Sequence, residues 1–354
     1  MTQATNTVNA NRAPRRSWTR RFVWLLVVLV ALWSAAWYGL SFAAGIMLDR
    51  WIAREAAAGR EWSCAERSVA GYPFRMRVRC DGVSLLASQA GARRTLKLPS
   101  LAIGASVFEP GVFVAEPIGP LEAGDGRTSV RVSWQDARLA TGRGEDGRWR
   151  VSLALATPLV SVRDGQAEPF ELAAERGDLR LVQMTDLLQS PGNFEVSLAA
   201  TGIVSRRLAD LTGETGPGKL DLVAALDNVP LRRAPHAVEA LEGWRRANGV
   251  LRVTKASVAL GQVLVEGRGD LALDSEHRLA GGLELGATGI APVFRKLGIP
   301  QSAIAVGGLL TGWLAPKAQA GQTGEKPISL PLRLRDGKVL IGAIPAPFRL
   351  TPLY

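Results

Sequence analysis

The sequence predicts a mainly β protein carried on one N-terminal membrane helix, with a large, curved antiparallel sheet and a few short helices. Three observations predict it. Residues 22–48 (FVWLLVVLVALWSAAWYGLSFAAGIML) contain no charge and no proline. The chain beyond them is dominated by short alternating runs, broken by Gly, Pro, Asp or Asn at about ten-residue intervals, the cadence of antiparallel strands. No long helical patterns interleave those runs, and parallel strands need such crossovers.

The apolar run comes first. As a helix rising about 1.5 Å per residue it reaches roughly 40 Å, enough to cross a hydrocarbon core of about 30 Å with some tilt. Arg12, Arg15, Arg16, Arg20 and Arg21 precede it without an acid, whereas Asp49, Arg50, Arg54 and Glu55 come after it and balance. The positive-inside rule therefore places residues 1–21 in the cytoplasm as a basic tail without fixed structure, 22–48 in the membrane and 49–354 beyond it. Trp18 and Trp24 near one end, and Trp37, Tyr38 and Trp51 near the other, fit two interfacial aromatic belts. The alternative is a cleaved signal peptide, with Ser41-Phe42-Ala43 as a small-residue cleavage site. Against it, the run exceeds the roughly 7–15 residues of a signal core and continues to Leu48. Both readings carry the bulk of the chain across a membrane. The retained anchor adds a single pass of that membrane.

Composition narrows the function. The formal net charge is +11. Five of those charges are the N-terminal arginines, leaving +6 spread over residues 49–354 with no Lys/Arg block. That pattern argues against a nucleic-acid partner and is compatible with an anionic membrane nearby. The exported part is long enough for one large or two modest domains, with a candidate sub-boundary near 230–250. Its two cysteines, Cys64 and Cys80, read most simply as a disulfide in an oxidising compartment, closing a loop of about 15 residues for roughly 3 kcal/mol. Two free buried thiols are the alternative. Two thiols and two histidines, His236 and His277, do not make a metal-ligand set, so no metal and no cofactor is expected.

Helical periodicity continues past the apolar run, with Leu48, Trp51, Ile52 and Ala56 on one face, to a C-cap at Gly59. Gly71-Tyr72-Pro73 is turn chemistry, and an aromatic before proline raises the chance of a cis bond. From Phe74 the period is two: Phe74, Met76, Val78 and Cys80 face one way and Arg75, Arg77 and Arg79 the other, until Asp81-Gly82 ends the strand. The three arginines are either a solvated sheet face or a patch for an anionic ligand or lipid headgroup. Further strands are expected at 83–88, 94–98, 101–107, 111–116, 128–134, 148–155, 158–163, 170–174, 177–183, 193–200 and 219–226. A helix at 235–247, with Ala237, Leu241 and Trp244 on one face, ends at Asn248-Gly249. Strands resume at 250–254, 256–260, 262–266, 269–273 and 279–285. Short helices are expected at 290–298 and 301–310, then a flexible stretch at 317–326. A last hairpin joins 330–335 to 338–341 through Asp336-Gly337, before a proline-studded tail.

Motifs for chemistry are sparse. Gly142-Arg-Gly144-Glu-Asp-Gly147 satisfies the dinucleotide spacing, but a strand pattern succeeds it where a helix is required. Gly213 to Leu220 nearly matches a phosphate-binding loop, but leucine stands where a magnesium-binding hydroxyl belongs. No zinc-protease or serine-hydrolase motif occurs. Paired acids such as Glu145/Asp146 and Asp221/Asp227 read as solvated surface. The expectation is a protein that is not an enzyme.

Three stretches carry a resemblance. Trp62-x-Cys64 through Gly71-Tyr72-Pro73-Phe74-Arg75 to Cys80, then 108–120 (FEPGVFVAEPIGP), then 330–345 (LPLRLRDGKVLIGAIP), resemble an uncharacterised bacterial envelope family, domain-of-unknown-function family 2125. The Gly-Tyr-Pro-Phe-Arg turn between two cysteines is its most specific part. The resemblance implies a single-pass inner-membrane protein of unknown activity and carries no catalytic residues. More loosely, an anchor leading into glycine-punctuated strands is similar to the AsmA-like envelope proteins, whose curved sheets hold lipid in an apolar groove. Two functions are therefore expected: a binder of lipid or another apolar ligand in a sheet groove, or a structural protein holding partners in an envelope complex. The anchor reading has its own check. Intact-mass measurement on protein extracted from membranes is expected to return a chain that still contains residues 22–48; a chain starting near Ala44 would mean cleavage.

Overall fold

A computed structural model describes residues 16–89, 92–165, 168–184, 192–230, 237–296, 328–342 and 344–354. The helix expected at 301–310, the stretch at 317–326 and His236 lie outside them. The first element, α1 (Arg16–Ala57), is one unbroken helix. It begins six residues before the apolar run and absorbs the predicted extension, ending against Gly59 at φ 78°. Among the described residues it is the one helix long and apolar enough to cross a membrane.

All nineteen described strands join one antiparallel sheet. β1 (Arg60–Ala70), β2 (Arg75–Gln89) and β3 (Ala92–Ser106) open it as a meander. At β3 the sheet forks. The C-terminal half of β3 pairs with β4 (Glu109–Ile118), and its N-terminal half with β5 (Leu121–Gly124). From β4 a long wall continues through β7 (Asp136–Arg143), β8 (Trp149–Ala156), β11 (Arg176–Gln183) and β12 (Gly192–Ile203). It runs on through β13 (Gly218–Val229), β14 (Val250–Leu260), β15 (Val263–Leu273) and β16 (Leu279–Thr288). It closes with β17 (Ile328–Arg335), β18 (Lys338–Ile341) and β19 (Ile344–Arg349). From β5 a short flap continues through β6 (Thr128–Ser133), β9 (Leu159–Asp164) and β10 (Phe170–Ala173).

The fork is the edge of a crease. Along it the chain passes from wall to flap, or back, at Gly119-Pro120, Trp134-Gln135, Thr157-Pro158 and Ala174-Glu175. Backbone bonds hold right up to it: Gln135 N–H donates to Ala156, Thr157 to Glu175, and Glu175 to Thr201. The apolar alternation resets by one residue at most of these crossings: Val130 and Val132 give way to Ala137 and Leu139, and Leu153 and Leu155 to Val160 and Val162. An extra residue at a bulge has that effect and sharpens the local bend. Gly202, at φ 67°, continues the crease into β12, where an added Cβ would lie 2.3 Å from Glu175 Cγ. Trp134 wedges the bend, its ring 3.1 Å from where a Cβ on Gly119 would stand and its Nε1–H donating to Pro117 O at 3.0 Å.

Several predicted boundaries move for the same reason. Asp81-Gly82 does not end a strand: Gly82 takes φ 65° inside β2, and pairing to β3 runs through it in register. The predicted pairs 94–98/101–107, 250–254/256–260 and 262–266/269–273 each merge into one strand. β1, β5, β7 and β19 had no predicted counterpart, nor did α2 (Arg206–Thr212). The helix expected at 235–247 is α3 (Ala237–Arg246), and that at 290–298 is α4 (Ala291–Lys296). Asp336 and Gly337 both take positive φ, as a primed hairpin turn requires. Wall pairing is direct between β13 and β14, so the sheet is continuous across 230–250.

The C-terminal residues are tied back. Leu353 N–H donates to His277 O at 2.9 Å, the Tyr354 ring lies 4.5 Å from the imidazole of His277, and the Tyr354 hydroxyl donates to Glu242 Oε2 at 2.9 Å. Hydrogen bonds from Arg245 first, then from Tyr354 and Arg246, hold the Glu242 carboxyl far below its ordinary value of 4.5. Burial, then the bond to Glu242, raises the Tyr354 hydroxyl above 10.0. The clamp is therefore complete between those two ordinary values. It weakens as pH falls from 4.5 towards the depressed carboxylate value, and as pH climbs through the raised phenol value. The protection factors of the Leu350 and Leu353 amides, their exchange rates relative to the intrinsic rate at each pH, are expected to hold from about pH 4.5 to 10 in the native chain and to fall at neutral pH in Glu242→Gln.

Candidate apolar groove and its arginine-bearing outer face

The wall carries one apolar row from end to end. Cross-strand partners link Val78, Ile103, Ala115, Leu139, Leu153, Leu179, Leu198, Leu222, Ala256, Gly267 and Leu285. Partners in an antiparallel ladder share a face, so these eleven positions on eleven strands form one stripe, about 48 Å long at roughly 4.8 Å per strand. The neighbouring row on that face is apolar too: Met76, Ala105, Phe113, then Thr141 as the polar exception, Val151, Leu181, Val196, Ala224, Val253, Gly269, Leu283 and Leu332. The opposite face reads Arg138, Ala154, Asp178, Ala199, Asp221, Ser257 and Glu266 along one row.

The apolar face is unevenly covered. Since every described strand belongs to the same sheet, no second sheet stacks on it among the described residues. Ala137 on β7 is buried, 2% exposed, and so are Ala224 at 1%, Val253 at 6% and Ala287 at 2% on the far strands. There Val263, Ala287 and Ile290 pack as a small core with Val265. Elsewhere the same face is open, with Ile103 45% exposed, Phe113 47%, Leu179 37% and Val258 43%. The arrangement is a curved trough lined by aliphatic groups.

The predicted arginines stand on the other side. Arg77 lies 3.4 Å from Glu116, and Arg79 donates to Asp81 at 3.2 Å and to Ser100 Oγ at 3.1 Å. The Ser100 hydroxyl first, then Arg79, keeps the Asp81 carboxyl below its ordinary value. Among the described ion pairs none involves Arg75. A shallow depression of about 270 Å³ there is lined by Arg75, Arg77, Arg138, Glu109 and Glu116, so its basic groups are partly neutralised.

The turn 71–74 docks on α1. Tyr72-Pro73 is cis. Trp33 Nε1–H donates to Pro73 O at 3.0 Å, Trp37 Nε1–H to Arg75 O at 3.1 Å, and Tyr72 and Ser34 share a hydroxyl bond of 2.8 Å. Just behind the turn, Cys64 and Cys80 form a disulfide bridging β1 and β2, with Cα atoms 5.6 Å apart. Arg67–Asp49 and Arg60–Glu55 ion pairs continue the contact down the helix.

These are the residues of the resemblance, and a family model decides it. The model described as "Uncharacterized protein conserved in bacteria (DUF2125)" matches residues 37–348. The chain belongs to DUF2125. No curated protein and no solved structure matches it. The DUF2125 match starts within α1 at Trp37, one of the two indoles that hold the turn, and spans the whole wall and flap.

Other groups tested for chemistry are accounted for structurally. Asp146 pairs with Arg150, Asp221 with Lys219 and Asp227 with Arg252. His277 sits against Glu242 and Tyr354. Gly142 and Gly144 lead into β8, and Gly218 opens β13, so each glycine-rich motif meets a strand and not the helix it needs. The described residues contain no group of three His, Cys, Asp or Glu able to hold a metal ion. The apolar row escapes a sequence reading because its register depends on the crease resets; the parity changes between Val132 and Ala137 and between Leu155 and Val160 are the local signal of them.

The two faces make opposite predictions for adjacent residues. Leu198→Asp, on the inner row, is expected to lower stability by about 1–3 kcal/mol in urea unfolding. Ser197→Asp, one position away and outward, is expected to stay within about 0.5 kcal/mol.

Proposed function

We propose that this DUF2125 chain is a non-enzymatic, inner-membrane-anchored periplasmic protein that binds lipid or another apolar ligand along the inner row of its sheet, in envelope maintenance or lipid transport. The observation that carries this reading is the continuous apolar stripe from Val78 to Leu285, partly open at Ile103 and Leu179. A soluble sheet that leaves Ile103, Phe113 and Leu179 more than one-third exposed on one face needs something apolar to cover them. Acyl chains are long, narrow and lack hydrogen-bonding groups, which suits a lining of Leu, Val, Ala and Gly. On the outer face, Arg75 with the partly neutralised Arg77 and Arg79 supplies a place for an anionic headgroup at the trough's rim.

The rival reading, a scaffold for envelope partners, would use the free edge of β19, which pairs only with β18 among the described strands. Pro345 on that strand has no N–H to offer an added strand, which makes this edge a poor template.

Site-specific photocrosslinking in membranes tests the proposal on the full chain. A benzophenone amino acid at Leu179 or Leu198 is expected to capture phospholipid or another apolar molecule, and one at Ser197 is not. Equal capture on both faces, or none at the inner positions, would overturn it; capture of protein at the inner positions would favour the scaffold.

A further inference from the structure

The end of the sheet beside α1 is an aromatic tip. Two turns form it: residues 71–74 between β1 and β2, and residues 106–109 between β3 and β4. Val107 N–H donates to Phe74 O at 3.0 Å, and the Phe74 and Phe108 rings lie 5.4 Å apart. Tyr72 is 46% exposed, Phe74 49%, Val107 50% and Phe108 73%. Four adjacent apolar side chains pointing into water would be costly.

Their height on α1 identifies what covers them. The apolar run starts at Phe22, and about 20 helical residues cross a hydrocarbon core of roughly 30 Å. On that scale Trp33, Ser34 and Trp37, which hold the turn, sit roughly 16–22 Å along the crossing, at and beyond its midpoint. Non-helical backbone is tolerated at such depth only where protein satisfies its polar groups. Protein supplies such partners here: Pro73 O and Arg75 O accept the indole N–H groups of Trp33 and Trp37, Arg75 N–H donates to Gly71 O, Val107 N–H to Phe74 O, and the Tyr72 hydroxyl to Ser34, whose own proton goes to Val30 O at 2.7 Å. The same bonds satisfy two indole N–H groups that a lone helix would expose to acyl chains. Charge returns only at the margins, at Arg75 and Glu109.

We propose that the tip formed by Tyr72, Phe74, Val107 and Phe108 is immersed in the hydrocarbon of the membrane leaflet away from the N-terminus, held at that depth by Trp33 and Trp37. The partner surface is acyl chain, not protein. Immersion rests on α1 spanning the bilayer and not on the trough binding lipid. Combined with the trough, it sets Met76 and Phe113, at the near end of the inner rows, beside the leaflet, which makes the tip the place where an acyl chain passes between bilayer and sheet.

Nitroxide depth measurements test it. The native cysteines are joined in a disulfide, so single cysteines introduced into the full chain can be labelled selectively. The labelled chains are reconstituted in vesicles of phosphatidylethanolamine and phosphatidylglycerol. Relaxation is then read with oxygen, which partitions into acyl chains, and with a water-soluble nickel chelate. Labels at Val107→Cys and Phe108→Cys are expected to match one at Leu29→Cys on α1, with oxygen dominant. A label at Glu61→Cys, near the outer end of α1, is expected to show the reverse. Nickel accessibility at 107 and 108 equal to that at 61 would overturn the proposal. So would inaccessibility to both reagents, which would mean that protein, a second copy or a partner, covers the tip. Loss of the oxygen signal at Leu29 as well would instead remove the membrane-spanning reading of α1.

Discussion

The structure depends on keeping one face of a very wide sheet apolar and continuous. In an antiparallel ladder, each residue shares its face with its partner on the next strand, so one misregistered strand would break the stripe for every strand after it. Here the pairing carries Val78 to Leu285 through eleven strands without a charged residue. The opposite face collects the ion pairs, such as Arg77–Glu116, Lys219–Asp221 and Arg268–Glu284. Exposed pairs of this kind contribute little stability individually. Their more evident effect is to keep that face wet and the other face the only one that seeks cover.

The crease turns a ribbon into a trough. A flat sheet of this width would present its apolar face as an open plane. Instead, the chain repeatedly crosses between wall and flap in successive strands, at Gly119-Pro120, Trp134-Gln135, Thr157-Pro158 and Ala174-Glu175. Bulges restart the alternation on either side, so both parts remain amphipathic. Gly202 and Gly82 extend the bend where a side chain would strike Glu175 or Ala65. On that face Val253, Val263 and Ala287 are buried, while Ile103, Phe113, Leu179 and Val258 remain open.

The contact between β1–β2 and α1 fixes the sheet to its helix rather than leaving it on a tether. Indole donors meet turn carbonyls, ion pairs continue along the helix, and the disulfide staples the two strands that make the contact. A sheet so held has a defined height and orientation relative to a bilayer around α1. The depth proposed for the aromatic tip comes from helix geometry alone, which is why it can be measured independently of any ligand.

The apolar helix, the cysteine pair, the antiparallel β class, most strand positions and the aromatic turn at 71–74 are legible in the amino-acid order alone. Each is local: an uncharged run, a period of two, or a turn residue acts within a few positions of itself. The Arg75, Arg77 and Arg79 face was legible for the same reason, since alternation alone puts the three together. Which strands pair, and where alternation resets, comes from the folded chain as a whole. Asp81-Gly82 read as a strand end because glycine and aspartate usually break strands, yet hydrogen bonds from β1 and β3 on either side carry β2 through them. β1 and β19 are strands because a neighbour supplies their ladder, not because of their own patterns. The stripe, the crease and the docking of the turn on Trp33 and Trp37 join residues from 33 to 285. Contacts over such separations are set by the pairing of the whole chain, which no local window contains.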